Sequence, residues 1–235
     1  MQFGLIDLWQ GGWVGALLRG ALITILVAIG AMMLGMVIGI ACGLIKWARV
    51  KPLNWLVEIY TTVVRGVPEL LIIYLLFFSS VELVARVGEA FGWAGLAETG
   101  YPFLIGVIAI GAISGSYSTE VVRGALSAIP KGHIEAAKAL GMPKKRIFRR
   151  IILPQMLRIA IPGMNNVWQA TMKDTALISV VGLQELMRTA FIGAGSTRNP
   201  FIFYLIAGVV YLIITFISQI GFKRTERALL LKGRA

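Results

Sequence analysis

Gly20 to Ile45 is a run of 26 residues without a single charge. A bilayer crossing takes about 20 predominantly apolar residues, so this stretch alone is long enough to span a membrane. In lipid such a segment must satisfy its own backbone N–H and C=O groups, which an α-helix does. Two comparable charge-free runs follow, Thr99 to Thr119 with 21 residues and Asn199 to Phe222 with 24. Ile59 to Val81 and Ile159 to Gln184 complete a set of five, although the first contains Arg65 and Glu69 and the second Lys173 and Asp174. Composition agrees with this reading: 57% of residues are hydrophobic and only 14% charged, against about 25% charged in a soluble domain. A water-facing globule and an extended disordered chain are both excluded. The expected fold class is an all-α membrane protein of five transmembrane helices. Residues 1–19 form an N-terminal segment, 20–222 the transmembrane domain with a loop at 123–154, and 223–235 a tail.

The charges orient this arrangement. Lys46, Arg49 and Lys51 follow the first span. Eight basic residues, Arg123, Lys131, Lys138, Lys144, Lys145, Arg146, Arg149 and Arg150, separate the third from the fourth, and five more lie in the tail. Sixteen of the 23 basic residues therefore fall on one side, opposite Arg19, Arg86, Arg188 and Arg198. The positive-inside rule places the N-terminus outside and the C-terminus in the cytoplasm. The net charge of +12 needs no nucleic acid to explain it, because short juxtamembrane loops hold the cations and anionic lipid attracts them. The first 18 residues contain no Lys or Arg, so no cationic leader region is visible. Cys42 and His133 are the single cysteine and histidine, too few for an internal disulfide or a histidine-based metal site.

Within the spans, Gly35, Gly39 and Gly43 recur every fourth residue and present a flat face on which another helix can pack closely. Gly111 and Gly115 repeat the device and lead into Ser116, Ser118 and Thr119. Those hydroxyls either line a polar path or bond to the carbonyl one turn back. An ionisable group at bilayer depth costs roughly 2.5–3.5 kcal/mol, so it faces a partner or a water-filled path. Arg65 and Glu69 stand four apart and would pair on an unbroken helix, but Pro68 loosens that turn. Lys173 and Asp174 are adjacent and point in different directions, with Asn165, Asn166 and Gln169 before them and Thr175 and Ser179 after. Interhelical ion pairing at a span boundary is the alternative to a role in transport.

Pro130 and Gly141 bracket a short helix in the loop between the third and fourth spans. About ten residues are not stable as a lone helix in water, so its order comes from packing. Ile134, Ala137 and Gly141 form a small, apolar face suited to a shallow groove. The following Lys144-Lys145-Arg146 and Arg149-Arg150 would by composition suit a lipid surface.

Glu135-Ala136-Ala137, Gly141 and Ile151-Ile152-Leu153-Pro154 match, at every fixed spacing, the EAA motif of membrane subunits of bacterial ABC importers. Tyr60 to Leu70, Pro130 to Ala137 and Lys173 to Ser179 resemble the polar amino acid permease subfamily. The Q-type subunits of histidine/lysine/arginine/ornithine and arginine transporters are the most similar, with opine transporter subunits close relatives. The resemblance implies a type I importer permease fold in the bacterial inner membrane. It further implies a homologous permease partner, as a heterodimer ahead of a homodimer, a separate ATP-binding cassette subunit holding ATP and Mg, and a periplasmic substrate-binding protein. It assigns coupling to the ATPase to Glu135, Ala136, Ala137 and Gly141. The chain has no G-x-x-x-x-G-K-[ST] and is expected to bind no cofactor of its own.

The expected cargo is a polar, basic L-amino acid, or alternatively an opine or other amino acid derivative. Asp174 is placed against a cationic side chain with Thr175 and Ser179 beside it. Arg65 takes the substrate carboxylate and Glu69 its amino group, with Thr62 on the same segment. A stand-alone secondary carrier or channel is the main alternative, and the five spans carry no inverted repeat of comparable length. An enzyme is disfavoured by the lack of a close carboxylate pair and by the single His and Cys.

Overall fold

The computed structural model describes residues 11–90 and 100–231; residues 1–10 of the expected N-terminal segment, Thr99, and the tail residues Lys232 and Arg234 lie outside the described residues. Helix α1 runs Trp13–Ala48, from Gly12 at φ 72° to Arg49 at φ 52°. Its 36 residues extend about 54 Å at 1.5 Å per residue, well beyond the roughly 30 Å hydrocarbon core. After α2 (Lys51–Gly66) and α3 (Glu69–Ala90) comes α4 (Tyr101–Ser127). A short helix α5 (Lys131–Ala139), a single turn α6 (Lys144–Ile147) and a π-helical turn Phe148–Ile152 lead into α7 (Leu153–Asp174). A 3-10 segment Thr175–Val181 continues it, followed by α8 (Leu186–Thr197) and α9 (Pro200–Leu231).

Helix α4 is the axis of the molecule, and the glycines of α1 bring it there. A Cβ built on Gly35 would stand 2.1 Å from Ser114 Oγ, on Gly39 2.4 Å from Ser118 Cβ, and on Gly43 2.7 Å from Val122 Cγ1. The return face interlocks in the same way, Gly111 against Leu34 and Gly115 against Ile38. Packing is therefore the role of both glycine series, because in lipid close backbone approach replaces the hydrophobic drive that holds soluble helices together. The question of the hydroxyls is also answered. Ser116 donates to Ile113 O at 2.7 Å and Thr119 to Gly115 O at 2.7 Å, while Ser114 reaches across to Ala31 O at 3.2 Å. Ser118 Oγ, by contrast with these, is buried without a partner.

Three buried clusters surround this axis. One joins Leu17 and Ala21 of α1 to Leu186 and Ala190 of α8 and Phe203 of α9. A second packs Val27 and Ala31 with Ile73, Ile110, Ile113 and Ile178. The third gathers the ends of α4 and α7 around the loop: Val122, Leu126, Ile129, Ala137, Ile147, Ile152 and Met156. The outer surface is apolar as well, with Val37, Leu212 and Phe216 each about two-thirds exposed.

Three helices are individually long and apolar enough to cross a membrane, Trp13–Ala48, Tyr101–Ser127 and Pro200–Ala228, and the count reaches five when each of two bent pairs is one span. Ile59 to Val81 is not a continuous helix. Val67 is extended at φ −105°, ψ 139°, and the chain bends by 110° between α2 and α3. Pro68 is the cause: it offers no N–H, and its ring drives the preceding residue out of the helical region. Ile159 to Gln184 also differs from a simple span. Its helix begins earlier, at Leu153, tightens to 3-10 geometry at Thr175, and meets α8 after a 50° bend.

Candidate functional site

The α2–α3 break collects the ionisable groups of the spans. Arg65, at the end of α2, stacks its guanidinium over the Tyr117 ring of α4, 5.5 Å from the centroid. Tyr117 Oη donates to Glu69 Oε1 at 3.3 Å. Arg65 and Glu69 form no ion pair with each other, since the helix that would have aligned them is interrupted and Tyr117 stands between them. Asp174, half-buried at the end of α7, lies within electrostatic range of both Glu69 and Tyr117. A cation, two carboxylates and a phenol thus face one another at the meeting of α2, α3, α4 and α7.

A polar cleft of about 560 Å³ opens beside them, lined by Lys46, Glu58, Thr61, Thr62, Arg65 and Tyr117 among others. A second cavity of about 670 Å³, at the α1–α2 turn, shares Lys46, Glu58 and Glu120 with it. Lys46 Nζ pairs with Glu120 Oε1 at 2.6 Å and donates to Thr61 Oγ1 at 3.2 Å, and Glu120 Oε2 holds Arg123 at 2.8 Å. Lys46 is therefore part of a three-helix tie among α1, α2 and α4 as well as a loop charge. Of the six residues expected to meet substrate, the structure brings Thr62, Arg65, Glu69 and Asp174 toward Tyr117. Thr175 is fully buried and donates to Met172 O at 2.8 Å, and its hydroxyl neighbours Tyr211 of α9. Ser179, on the 3-10 segment, is not among the residues lining the cleft, and neither are Glu69 and Asp174, which lie beside it through Tyr117.

The loop helix α5 is built with little slack. Pro130 precedes it, and at its end Gly141 takes φ 71°. Gly141 N–H donates to Lys138 O at 2.9 Å and Met142 N–H to Ala137 O at 3.1 Å. That pair of bonds is a Schellman close, and its left-handed residue is where glycine carries no steric cost. The packing partner of α5 is the chain itself: Ala137, 3% exposed, with Ile134 and Met142 alongside, sits on the cluster at the ends of α4 and α7. His133 Nδ1 lies 3.0 Å from Gln155 Oε1 of α7. The shallow groove expected for this face is thus formed by the chain's own α4 and α7 ends for Ile134 and Ala137, while Gly141, expected beside them, is exposed. Glu135, Ala136 and Gly141 are exposed, and so is Leu140, at 81%.

Sequence reasoning missed three features. Tyr117 and the Lys46–Glu120 tie join residues 48 to 74 positions apart in sequence, and no local pattern reports them. Glu185 is fully buried and accepts from Thr24 Oγ1 at 3.0 Å, Tyr211 Oη at 3.2 Å and Arg188 N–H at 2.7 Å. Its signal was available: a carboxylate immediately before an apolar helix is an N-cap arrangement. Among the described residues no three His, Cys, Asp or Glu are grouped to hold a metal ion.

A helical membrane protein with a polar cleft between its spans and an exposed loop helix tied to two of them defines a membrane transport subunit. The chain belongs to the family described as the binding-protein-dependent transport system inner membrane component, which matches residues 35–230. It is 46% identical to the nopaline transport system permease protein NocQ of Agrobacterium fabrum, over 97% of this chain and 96% of that one. It is 41% identical to the histidine/lysine/arginine/ornithine transport system permease protein HisQ of Escherichia coli, over 88% and 90% respectively. Its fold is similar to a crystal structure of an amino acid ABC transporter with histidines, at a TM-score of 0.81 and 25% identity over 97% of this chain and 100% of that chain. As in that family, the chain is a non-catalytic membrane subunit.

Proposed function

We propose that this chain is the membrane subunit of an ATP-driven importer in the bacterial inner membrane. Its five spans have the N-terminus outside and the C-terminus in the cytoplasm, and it carries a polar amino acid with a cationic side chain or an opine derived from one. The charge of the site supports that cargo. Arg65, Glu69 and Asp174 together bear one net negative charge, complementary to a basic amino acid, which bears one net positive charge. Arg65 offers two parallel donors to the substrate carboxylate, Glu69 takes the α-ammonium and Asp174 the side-chain cation, with Thr62 at the cleft wall. Thr175 and Ser179 serve the shape of the site from behind Asp174. Lysine, arginine and ornithine, named for one of the relatives, each carry that charge.

The single observation that carries the mechanism is that α5 is fastened to α7 and to the end of α4, the helices that present Asp174 and Tyr117. An ATP-binding cassette subunit, holding ATP and Mg, engages the exposed Glu135, Ala136 and Leu140. Ala137 and Gly141 keep the helix rigid and seated. Displacement of α5 then moves α4 and α7 as one body, exchanging outward for inward access to the cleft. A homologous permease covers part of the apolar flank, membrane lipid the rest, and a periplasmic substrate-binding protein delivers the cargo. Extraction of the tagged chain in mild detergent tests this. The account expects an ATPase and a second permease to co-purify, with the ATPase lost in Glu135→Lys and Leu140→Asp. A chain that emerges alone at every detergent ratio contradicts it.

A further inference from the structure

The basic run 144–150 is left unused by the transport reading, and the structure gives it a shape. Lys145, Arg146, Arg149 and Arg150 are all exposed and, with Pro143, line a cavity of about 490 Å³. No carboxylate lies within 4.0 Å of any of these four cations among the described residues. The π-helical turn helps gather them: Leu153 N–H bonds to Phe148 O, five residues back, so the turn is wider than an α-turn. Ile147 and Ile152 anchor the inner side of the segment in the core, leaving the cations on the outer side.

The same face continues into the membrane. Beyond the π-helical turn, Leu157, Ile161 and Trp168 follow one another at spacings of four and seven, one stripe of α7. Leu157 is 43% exposed. Ile161 and Trp168 line a second cavity of about 380 Å³ between α7 and α9, with Ser218, Gly221, Phe222 and Thr225 opposite. Ser218 and Thr225 both donate to carbonyls of their own helix, whereas Trp168 Nε1 is buried without a partner. From Arg150 to Ile161 the helix rises about 16 Å, close to the depth of one leaflet.

We propose that this stripe binds one anionic phospholipid of the cytoplasmic leaflet. Its phosphate sits among Lys145, Arg146, Arg149 and Arg150, and an acyl chain runs past Leu157 into the groove at Ile161, Trp168 and Phe222. Unpaired cations at the end of an apolar groove complement a lipid with a negative head and a hydrocarbon tail. A soluble protein partner accounts for the cations but not for the groove that follows them along the helix. The inference rests on the cytoplasmic placement of residues 143–152 in the proposed topology.

Native mass spectrometry of the purified complex, released from nanodiscs of equimolar dioleoyl phosphatidylglycerol and phosphatidylcholine, tests it. The wild type retains phosphatidylglycerol preferentially. Arg146→Gln with Arg150→Gln reduces that preference roughly 30-fold, from about 1 kcal/mol per cation near an anionic surface. Ile161→Trp, which fills the groove without touching a charge, lowers retention of phosphatidylglycerol. Equal retention of the two lipids by the wild type overturns the proposal, as does unchanged retention in either variant or displacement by inorganic phosphate alone. If the double variant loses an ATPase partner while its lipid preference persists, the cations are a protein-docking surface and the proposal fails. Lipid retention is read as mass on the permease, so absence of an ATPase from the wild-type preparation would damage the transport reading and leave this result standing.

Discussion

Glu185 is a carboxylate whose N-cap position is local in sequence but whose tertiary partners are not, and its structural role is large. It ties α1 through Thr24, α9 through Tyr211, and the first turn of α8 through Arg188 N–H. Truncating it leaves those buried donors without an acceptor, a loss of about 2–4 kcal/mol. Glu185→Ala is therefore expected to lower the thermal unfolding midpoint of the detergent-solubilised chain by about 5–15 °C, while Glu185→Gln, which keeps an acceptor oxygen, loses less than half of that. An unchanged midpoint in the alanine variant would show that the network carries no stability. Asp174 is a different kind of acid, half-buried and within electrostatic range of Glu69 and Tyr117. Asp174→Asn should leave folding intact and reduce uptake of a cationic amino acid at least tenfold, because a neutral amide no longer offsets the substrate's charge. Equal uptake by the variant removes Asp174 from the site. The Arg65–Glu69 spacing was legible as a pair only on an unbroken helix. Their actual link runs through Tyr117, whose distance along the chain hides it from any local pattern.

Among the elements, the glycine-bearing ones were the most readable. Spacing of Gly35, Gly39 and Gly43 reported a close helix contact, and the structure supplies the partner, α4. Gly39→Ala sets a methyl 2.4 Å from Ser118 Cβ, so the helices must part, at a cost of about 1–3 kcal/mol. Gly124, on the same helix α4, has no neighbour within 4 Å of a built Cβ, and Gly124→Ala should be neutral or stabilising by about 0.5–1 kcal/mol. Denaturant midpoints of the two variants, measured side by side, should fall for Gly39→Ala and stay or rise for Gly124→Ala; an unchanged midpoint in Gly39→Ala would mean that the α1–α4 contact is loose. Helix α5 was legible from Pro130 and Gly141 because caps are local chemistry. Its seat was not, since Ala137 contacts residues brought together by the tertiary fold. The 110° bend at Pro68 falls between these cases: proline announces an interruption, but only packing against α4 sets the angle.

At the scale of the whole molecule, hydropathy alone marks three long helices, and the two bent pairs, each a further span if its halves count as one, are the ones that carry Arg65, Glu69 and Asp174. Breaks and charges coincide for a physical reason: unwound backbone and ionisable side chains at membrane depth are both tolerated only beside protein or a water-filled cavity. The transmembrane class was readable from charge-free runs because lipid demands them over a length no soluble fold needs. How the cleft is assembled was not, as its walls come from three separate helices, α1, α2 and α4. The central claim is that movement of the loop helix, powered by ATP on another chain, opens that cleft to alternate sides. Uptake of radiolabelled L-arginine into proteoliposomes holding the co-purified complex and loaded substrate-binding protein tests it directly, with ATP supplied at the ATPase face or replaced by an imposed ion gradient. The account predicts uptake that requires ATP hydrolysis and is abolished by Leu140→Asp. Uptake by the chain alone, driven by the ion gradient without ATP, would contradict it and identify a secondary carrier.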